Sequence, residues 1–337
     1  MLHTSKKLIV VVPMQGTLLL DIAGPCDVFT IANKVLGSDP SLHAGGYEIL
    51  LAAPDATKKV ITQSSVELLC PLRVTEIDRP IDTLLIAGLG TEFLNNTHQG
   101  FYKWLREMYP RMHRVGSVCI GAYALARAGI LDGKRATTHW EFSQDFQDTH
   151  PQVKVDTNPF FIRDGNVYTS GGVSSGIDLA LALVEEDYGR EVAVKVARKL
   201  VFYLKRPGYQ SQFGVLLDEH SLTNTVAGKL RPWMTAHLDQ DLSVEQLAIH
   251  MNMSPRNFAR VFLKESGLTP AKFVEKLRVE IARKYLEETD LSMEQIAEKC
   301  GLGGTVSMRR VFLRHLMISP SDYRRTFRTS LAAVPVI

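Results

Sequence analysis

Cysteine is scarce in this chain and scattered where it occurs. Cys26, Cys70, Cys119 and Cys300 stand far apart, with no C-x-x-C pair. Such spacing argues against a zinc site or a disulfide framework and for a reducing compartment. Long hydrophobic runs are also missing. No stretch approaches the roughly 18 apolar residues that a membrane span needs. Lys6 and Lys7 precede only the short run Leu8–Val12 before Pro13, which is no signal-peptide core. There is no H-E-x-x-H pair and no phosphate-binding loop, so metalloprotease and NTPase chemistry has no motif behind it. Gly88-Leu89-Gly90 is no dinucleotide fingerprint, because Phe93 stands where the third glycine should be. The expectation is a cytoplasmic chain with no metal, no cofactor and no membrane partner.

What is present points to two domains. At 337 residues the chain is too long for one ordinary domain, and 45% hydrophobic with 22% charged residues is a globular balance. The formal net charge of +3 is unevenly placed. Residues 226–330 hold 17 Lys and Arg against 12 Asp and Glu, leaving 22 against 24 for the remainder. The basic excess in the last third suggests a polyanion partner there.

Residues 7–12, 48–53, 82–87 and 113–118 are short apolar runs bounded by Gly, Pro or polar residues, as expected of strands buried on both faces. Helical patterns lie at about 23–35, 98–109, 120–129, 174–188 and 190–204. Alternating strand and helix predicts an α/β fold, a doubly wound, mostly parallel sheet covered on both sides. Around 159–170, F-F-I-R-D-G-N-V-Y-T-S reads as a hairpin with a D-G turn. From about 226 everything is helical, which predicts domains at 1–206 and 226–330 joined by a linker at 207–225.

The helical part repeats itself. L-S-V-E-Q-L-A-I-H-M-N-M-S (242–254) matches L-S-M-E-Q-I-A-E-K-C-G-L-G (291–303), each with a capping serine and an acidic first turn. The small Ala248 and Ala297 let a second helix cross closely. In those second helices Phe258, Val261 and Phe262, then Met308, Val311 and Phe312, fall inward. Arg256, Arg260 and Lys264, then Arg309, Arg310 and Arg314, fall outward. An apolar back with a basic front is what a major-groove reader requires. A bundle of two solvated amphipathic helices is the alternative, and the repetition of one plan favours duplex DNA. Between the units, Pro270 to about Glu288 forms a strut of roughly 27 Å, long enough to serve two grooves about 34 Å apart.

This segment, about 222–328, resembles the DNA-binding domain of the AraC family of bacterial regulators. C-G-L-G-G…F-L-R-H-L-M-I-S-P-S-D-Y-R-R carries the likeness. Met317 departs from it, standing where a glycine is common, and Gly303-Gly304 is expected to loosen the second helix start. The resemblance implies base contacts from Arg256, Arg260, Thr305, Arg309 and Arg310, and phosphate contacts from Lys229, Lys264 and Arg314.

In the first domain, strand 113–118 runs straight into Cys119-Ile120-Gly121 and a helix. A nucleophile at such a turn lies at the carboxyl edge of the sheet, where open α/β sheets bind ligands, and neighbouring N–H groups favour a thiolate or a bound anion. The bland reading is a small buried cysteine. G-S-V-C-I-G-A-Y-A-L-A-R-A-G-I-L-D-G-K-R-A-T-T-H-W resembles the nucleophile elbow of the class I glutamine amidotransferase-like superfamily. The branch it is most similar to holds intracellular proteases and isocyanide hydratases. L-L-L-D-I-A-G-P-C-D-V-F and T-S-G-G-V-S-S-G-I-D-L-A-L fit the same branch, over roughly 6–205.

That resemblance implies an acid, Asp21, beside Cys119, with His139 as a further lining residue unless it is merely structural. Ile120 stands where the protease members have histidine, so their triad is not available. Gly88, Ile120, Gly171 and Gly172 complete the expected ligand pocket. Fused to AraC-like helices, such a domain implies sensing of a small-molecule effector rather than turnover. Cys–Asp hydratase chemistry, redox sensing through Cys119 and ligand-independent architectural DNA binding remain as rivals. The reading is a regulator, taken as an activator, dimeric through its first domain, with RNA polymerase as a further partner.

Overall fold

The computed structural model describes residues 6–38, 45–91, 98–202, 204 and 225–327. The chain divides into two compact units, 1–206 and 207–337. Among the described residues, no helix is long and apolar enough to cross a membrane.

The first unit is an α/β layered structure. Its elements run β1 (Lys7–Val12), α1 (Leu19–Gly37), β2 (Tyr47–Ala53), β3 (Lys59–Ile61), β4 (Glu67–Leu69), β5 (Leu72–Arg73) and β6 (Thr83–Ile86). There follow α2 (Gln99–Met108), β7 (Arg114–Val118), α3 (Ala122–Arg127), β8 (Arg135–Ala136), α4 (Ser143–Thr149) and β9 (Lys154–Val155). β10 (Phe161–Asp164), β11 (Val167–Ser170) and α5 (Ser175–Lys199) complete it. Seven strands form one sheet in the order β10-β11-β7-β6-β1-β2-β5. All neighbours are parallel except β10 with β11. The expected doubly wound sheet is therefore present.

Side-chain alternation along β1 explains the two covering layers. Ile9 and Val11 pack with α1 and α5, whereas Leu8, Val10 and Val12 pack with α2 and α3. Both faces are buried, so the strand reads as a continuous apolar run. The hairpin at 159–170 forms, but Asp164 pairs with Val167, which makes Gly165 and Asn166 the loop residues. Gly165 takes a φ of 64°, the left-handed region that favours glycine. α5 breaks at Gly189 (φ 82°, ψ 166°), between the two helical patterns expected there, and ends at Lys199 rather than at 204.

At the amino edge of the sheet a charged network ties α5 to the strands. Arg114, only 1% exposed, donates to Asp82 and Asp187 at 2.8 Å each. Lys7 pairs with Asp187 at 3.1 Å. The buried Arg114 guanidinium is tolerable because carboxylates pair with it.

The second unit is all-helical: α6 (Val226–Ala236), α7 (Val244–His250), α8 (Pro255–Ser266), α9 (Pro270–Glu288), α10 (Met293–Lys299), α11 (Thr305–Leu316) and α12 (Pro320–Phe327). α9 serves two cores. Phe273, Val274 and Leu277 pack with the first helix pair, while Val279, Ala282 and Leu286 pack with the second. The expected linker, 207–225, lies outside the described residues apart from Thr225.

Candidate functional site

Parallel strands of one sheet deliver their carboxyl ends to one edge, and three loops meet there with the first turn of α1. Val118, the last residue of β7, hands directly to Cys119, whose φ is 59°. A non-glycine residue in the left-handed region carries strain that the surroundings must hold. Gly121 makes the turn possible, because a Cβ there would lie 2.5 Å from the Ile86 carbonyl oxygen and 2.7 Å from that of Ala87. The Thr138 hydroxyl donates to the Cys119 carbonyl at 3.1 Å, joining the 137–139 segment to the turn.

Asp21, Gly88, Cys119 and Gly172 come together at this edge. Asp21 is 1% exposed and its Oδ1 accepts the Val173 N–H at 2.8 Å. Val173 is itself left-handed, at φ 51°. Oδ2 is buried without a hydrogen bond of good geometry and faces Gly88, where an added Cβ would sit 2.6 Å away. A Cβ at Gly172 (φ 85°) would come within 2.6 Å of the Cys119 Sγ. Two glycines therefore clear the space that lets acid and thiol meet. The remaining expected residues lie around this group. Ile120 is buried, and the Gly171 N–H donates to the Phe160 carbonyl at 2.8 Å.

His139 is in the adjoining segment but makes no hydrogen bond to Cys119 or Asp21. Its ring lies against Trp140 and Phe142, centroids 5.4 and 6.0 Å apart. Nδ1 is buried, with the Glu141 carboxylate 3.9 Å off. Burial lowers its pKa, so the neutral ring is favoured.

The electrostatics correct one expectation. Local N–H groups at the Cys119 turn suggest a thiolate, but burial pushes the thiol far above its usual range, and the Asp21 charge adds to that. The Ile120 N–H pulls the other way and loses. Burial also raises Asp21, to about 6, against the Val173 N–H hydrogen bond and the pull of the Gly88 N–H and the Cys119 thiol. At neutral pH the pair is a protonated thiol beside a carboxylate, a poor starting nucleophile.

The helical unit presents a second candidate site. α7 and α10 open with serine caps, Ser243 to the Gln246 N–H at 3.4 Å and Ser292 to the Gln295 N–H at 3.2 Å. Ala248 and Ala297 are fully buried where the second helix of each pair crosses. Phe258 and Phe262 in α8, and Met308 and Phe312 in α11, are completely buried, and Val311 nearly so. Val261 is only half-buried. Arg256, Arg260, Lys264, Arg309, Arg310 and Lys229 are exposed, while Thr305 is half-buried. The Arg260 guanidinium is steadied by Asn257 at 2.9 Å.

Two details bear on the sequence reading. Arg314, expected to meet phosphate, already pairs with Glu275 at 2.9 Å. Gly304, expected to loosen the start of α11, stands at its cap at φ 92° and ψ 171°, a conformation for glycine. One residue escapes the sequence reading: Val306, in the first turn of α11, is 74% exposed. Its neighbours Thr305 and Arg309 are its only signal.

Residues 6–186 match the DJ-1/PfpI family, and residues 247–326 match a helix-turn-helix domain. The chain belongs to the DJ-1/PfpI family. This family member is 32% identical to the HTH-type transcriptional regulator CdhR of Pseudomonas aeruginosa over 252 residues, 75% of this chain and 70% of CdhR. Its overlap with another regulator of that organism, GbdR, spans 66% of GbdR, just under two thirds of that protein. It is also 33% identical to the isonitrile hydratase of Pseudomonas putida over 175 residues, 50% of this chain and 75% of the hydratase. Among solved structures, a THiJ/PfpI family protein from Pseudomonas syringae shares the fold at a TM-score of 0.50 and 21% identity, covering 61% of this chain and 78% of that one.

Proposed function

We propose that this DJ-1/PfpI-family chain is a DNA-binding transcription regulator in which the first unit senses a small molecule and the second reads duplex DNA. The observation that carries this reading is the duplicated helix pair. Twice over, a capped first helix crosses a second one whose back is buried phenylalanine, methionine and valine and whose front is exposed arginine. Arginine forks on such a front reach guanine edges or phosphates, and two fronts on one strut suit two turns of one DNA face. The similarity to CdhR along three quarters of the chain supports the same reading.

In the finer reading, residues 1–206 form the sensor and dimerise, 207–225 link, and 226–330 bind DNA. An effector held near Asp21, Gly88, Cys119, Ile120, His139, Gly171 and Gly172 favours one presentation of the reading helices and so activates transcription with RNA polymerase. Such coupling requires that effector bind more tightly in one of the two arrangements. Arg256, Arg260, Thr305, Arg309 and Arg310 read bases. Lys229 and Lys264 hold phosphate, and Arg314 does so only if it leaves Glu275.

A residual Cys-dependent hydration is the second reading, favoured by the isonitrile hydratase likeness and the Asp21–Cys119 pairing. The buried, protonated thiol weighs against it. Turnover of an isocyanide that vanishes in Cys119→Ala would establish it.

The deciding experiment is a salt-dependent titration of full-length protein on duplexes that it selects from a random library. Arg260→Ala should weaken binding by about 1–3 kcal/mol and relax preference at one position. Absence of any sequence preference at every salt concentration would overturn the DNA-reading function.

A further inference from the structure

A continuous strut alone does not fix how two reading helices face one another, because each can pivot at its own end. α9 (Pro270–Glu288) starts in the first helix pair and finishes in the second. Glu275, early in this strut and therefore in the first half, reaches the last turn of the second reading helix. Its carboxylate accepts from the Arg314 guanidinium at 2.9 and 3.1 Å and lies 2.6 Å from the His315 Nε2. His315 is 17% exposed and Glu275 31%, so this cluster is shielded from water on one side.

The surrounding contacts join the same two halves. Arg278, on the strut, donates to the Gln240 carbonyl of the first half at 3.1 Å, and its guanidinium lies 2.9 Å from where a Cβ at Gly301 of the second half would stand. Gly301, left-handed at φ 59°, packs where a Cβ would strike the Leu238 carbonyl. Apolar packing does not cover the whole junction between the halves. Between the halves runs an open cleft of about 330 Å³, lined by Leu242, Val274, Glu275, Arg278, Ser307 and Val311 among others. Close packing is what ordinarily locks two elements. Along this open side polar contacts span the cleft instead.

We propose that Glu275 is a positioning residue that sets the separation and mutual angle of the two reading helices, and thereby the half-site spacing the protein accepts. This rests on the DNA-reading function proposed above. Glu275 touches no base; it acts through Arg314 and His315, which end α11 (Thr305–Leu316). It also explains why Arg314, outward-facing and basic, is not free for phosphate.

The test uses the full-length chain and the duplex that the wild type selects from a random library. Two base pairs are inserted between its half-sites, which moves them apart by about 7 Å and turns them by about 70°. The wild type should lose at least about tenfold in affinity, roughly the cost of one wrong base pair. Glu275→Leu keeps helix propensity but removes both acceptor oxygens. It should reduce that loss to about threefold, half the effect in free energy. The ratio between duplexes cancels the general gain that deleting any carboxylate near DNA produces.

An unchanged ratio in Glu275→Leu overturns the positioning role and leaves the DNA-reading function intact. If that variant fails to fold, judged by circular dichroism, Arg314→Gln with His315→Gln takes its place. In that double variant too, a loss reduced to about threefold supports the positioning role and an unchanged ratio overturns it. A wild type that selects no duplex overturns the DNA-reading function, and the positioning role with it.

Discussion

The Cys119 thiol sits beside the Asp21 carboxylate, and the two answer one another in opposite directions. The thiol's proton favours a charged Asp21, while the charge on Asp21 holds that proton on sulfur. Both are buried, and burial is the larger influence on each. The strained Cys119 and Val173 backbones and the Gly88 and Gly172 clearances keep the pair in place. Strain held at one point of a fold is a pointer to function rather than to stability.

Asp21→Asn should therefore change stability in a pH-dependent way. The folded carboxyl is raised from near 3.8 to about 6, so the folded chain binds this proton more tightly than the unfolded chain does. Its stabilising contribution is full below about pH 4 and is lost as pH rises through about 6, a swing of roughly 2–3 kcal/mol. Asparagine keeps an acceptor for the Val173 N–H but does not titrate. Relative to wild type, the variant should gain roughly 2–3 kcal/mol between about pH 4 and about pH 7.5. Urea unfolding at the two pH values measures this. An equal difference at both would show that Asp21 is ionised like an ordinary surface carboxylate.

Local patterns in the sequence carry the larger features. β1 is legible because every residue from Leu8 to Val12 is buried, and the helix pairs because Phe258 and Phe262 recur as Met308 and Phe312. The break at Gly189 falls between two separate helical patterns. Strands of two or three residues, such as β5 and β8, are too short to show a period. The proton state of Cys119 is misjudged from sequence for a physical reason. The turn's N–H groups are local, whereas the burial that outweighs them comes from the Gly88 and Gly172 loops, distant in sequence. Helical spacing places Arg314 outward, but its partner Glu275 lies 39 positions earlier and no periodicity links them.

Val306 escapes a sequence reading because an apolar residue at a helix start reads as core. At 74% exposed, between Thr305 and the basic front of α11, it offers methyl groups beside the side chains proposed to read bases. The thymine C5 methyl is the apolar feature of the major groove. Replacing thymine by deoxyuracil in the selected duplex should weaken wild-type binding by about 0.8 kcal/mol at the contacted position. In Val306→Ala that sensitivity should largely vanish, while the salt dependence stays as it was. Competition titrations with singly substituted duplexes read both. A wild type indifferent to every thymine-to-deoxyuracil change would leave Val306 without this role.

Met317 closes α11 in the left-handed conformation, φ 55° and ψ 21°, with its N–H donating to the Leu313 carbonyl at 3.1 Å. Gly267 closes α8 in the same way, at φ 69°, donating to Leu263 at 3.0 Å. The two helix ends are thus built alike, but only one carries the residue suited to it. A side chain in this region costs about 1–2 kcal/mol, and Met317 recovers little of that by packing, being 49% exposed. Glycine removes the strain yet adds freedom to the unfolded chain worth about 0.5–1 kcal/mol. Met317→Gly should therefore raise stability, by up to about 1.5 kcal/mol after that offset. Met317→Ala separates the two effects, because it keeps the strain while losing the methionine contacts, and it should be less stable than wild type. Thermal and urea unfolding of the three proteins would rank them glycine, methionine, alanine. A glycine variant no more stable than the alanine one would mean that the backbone at 317 relaxes out of the left-handed region at little cost.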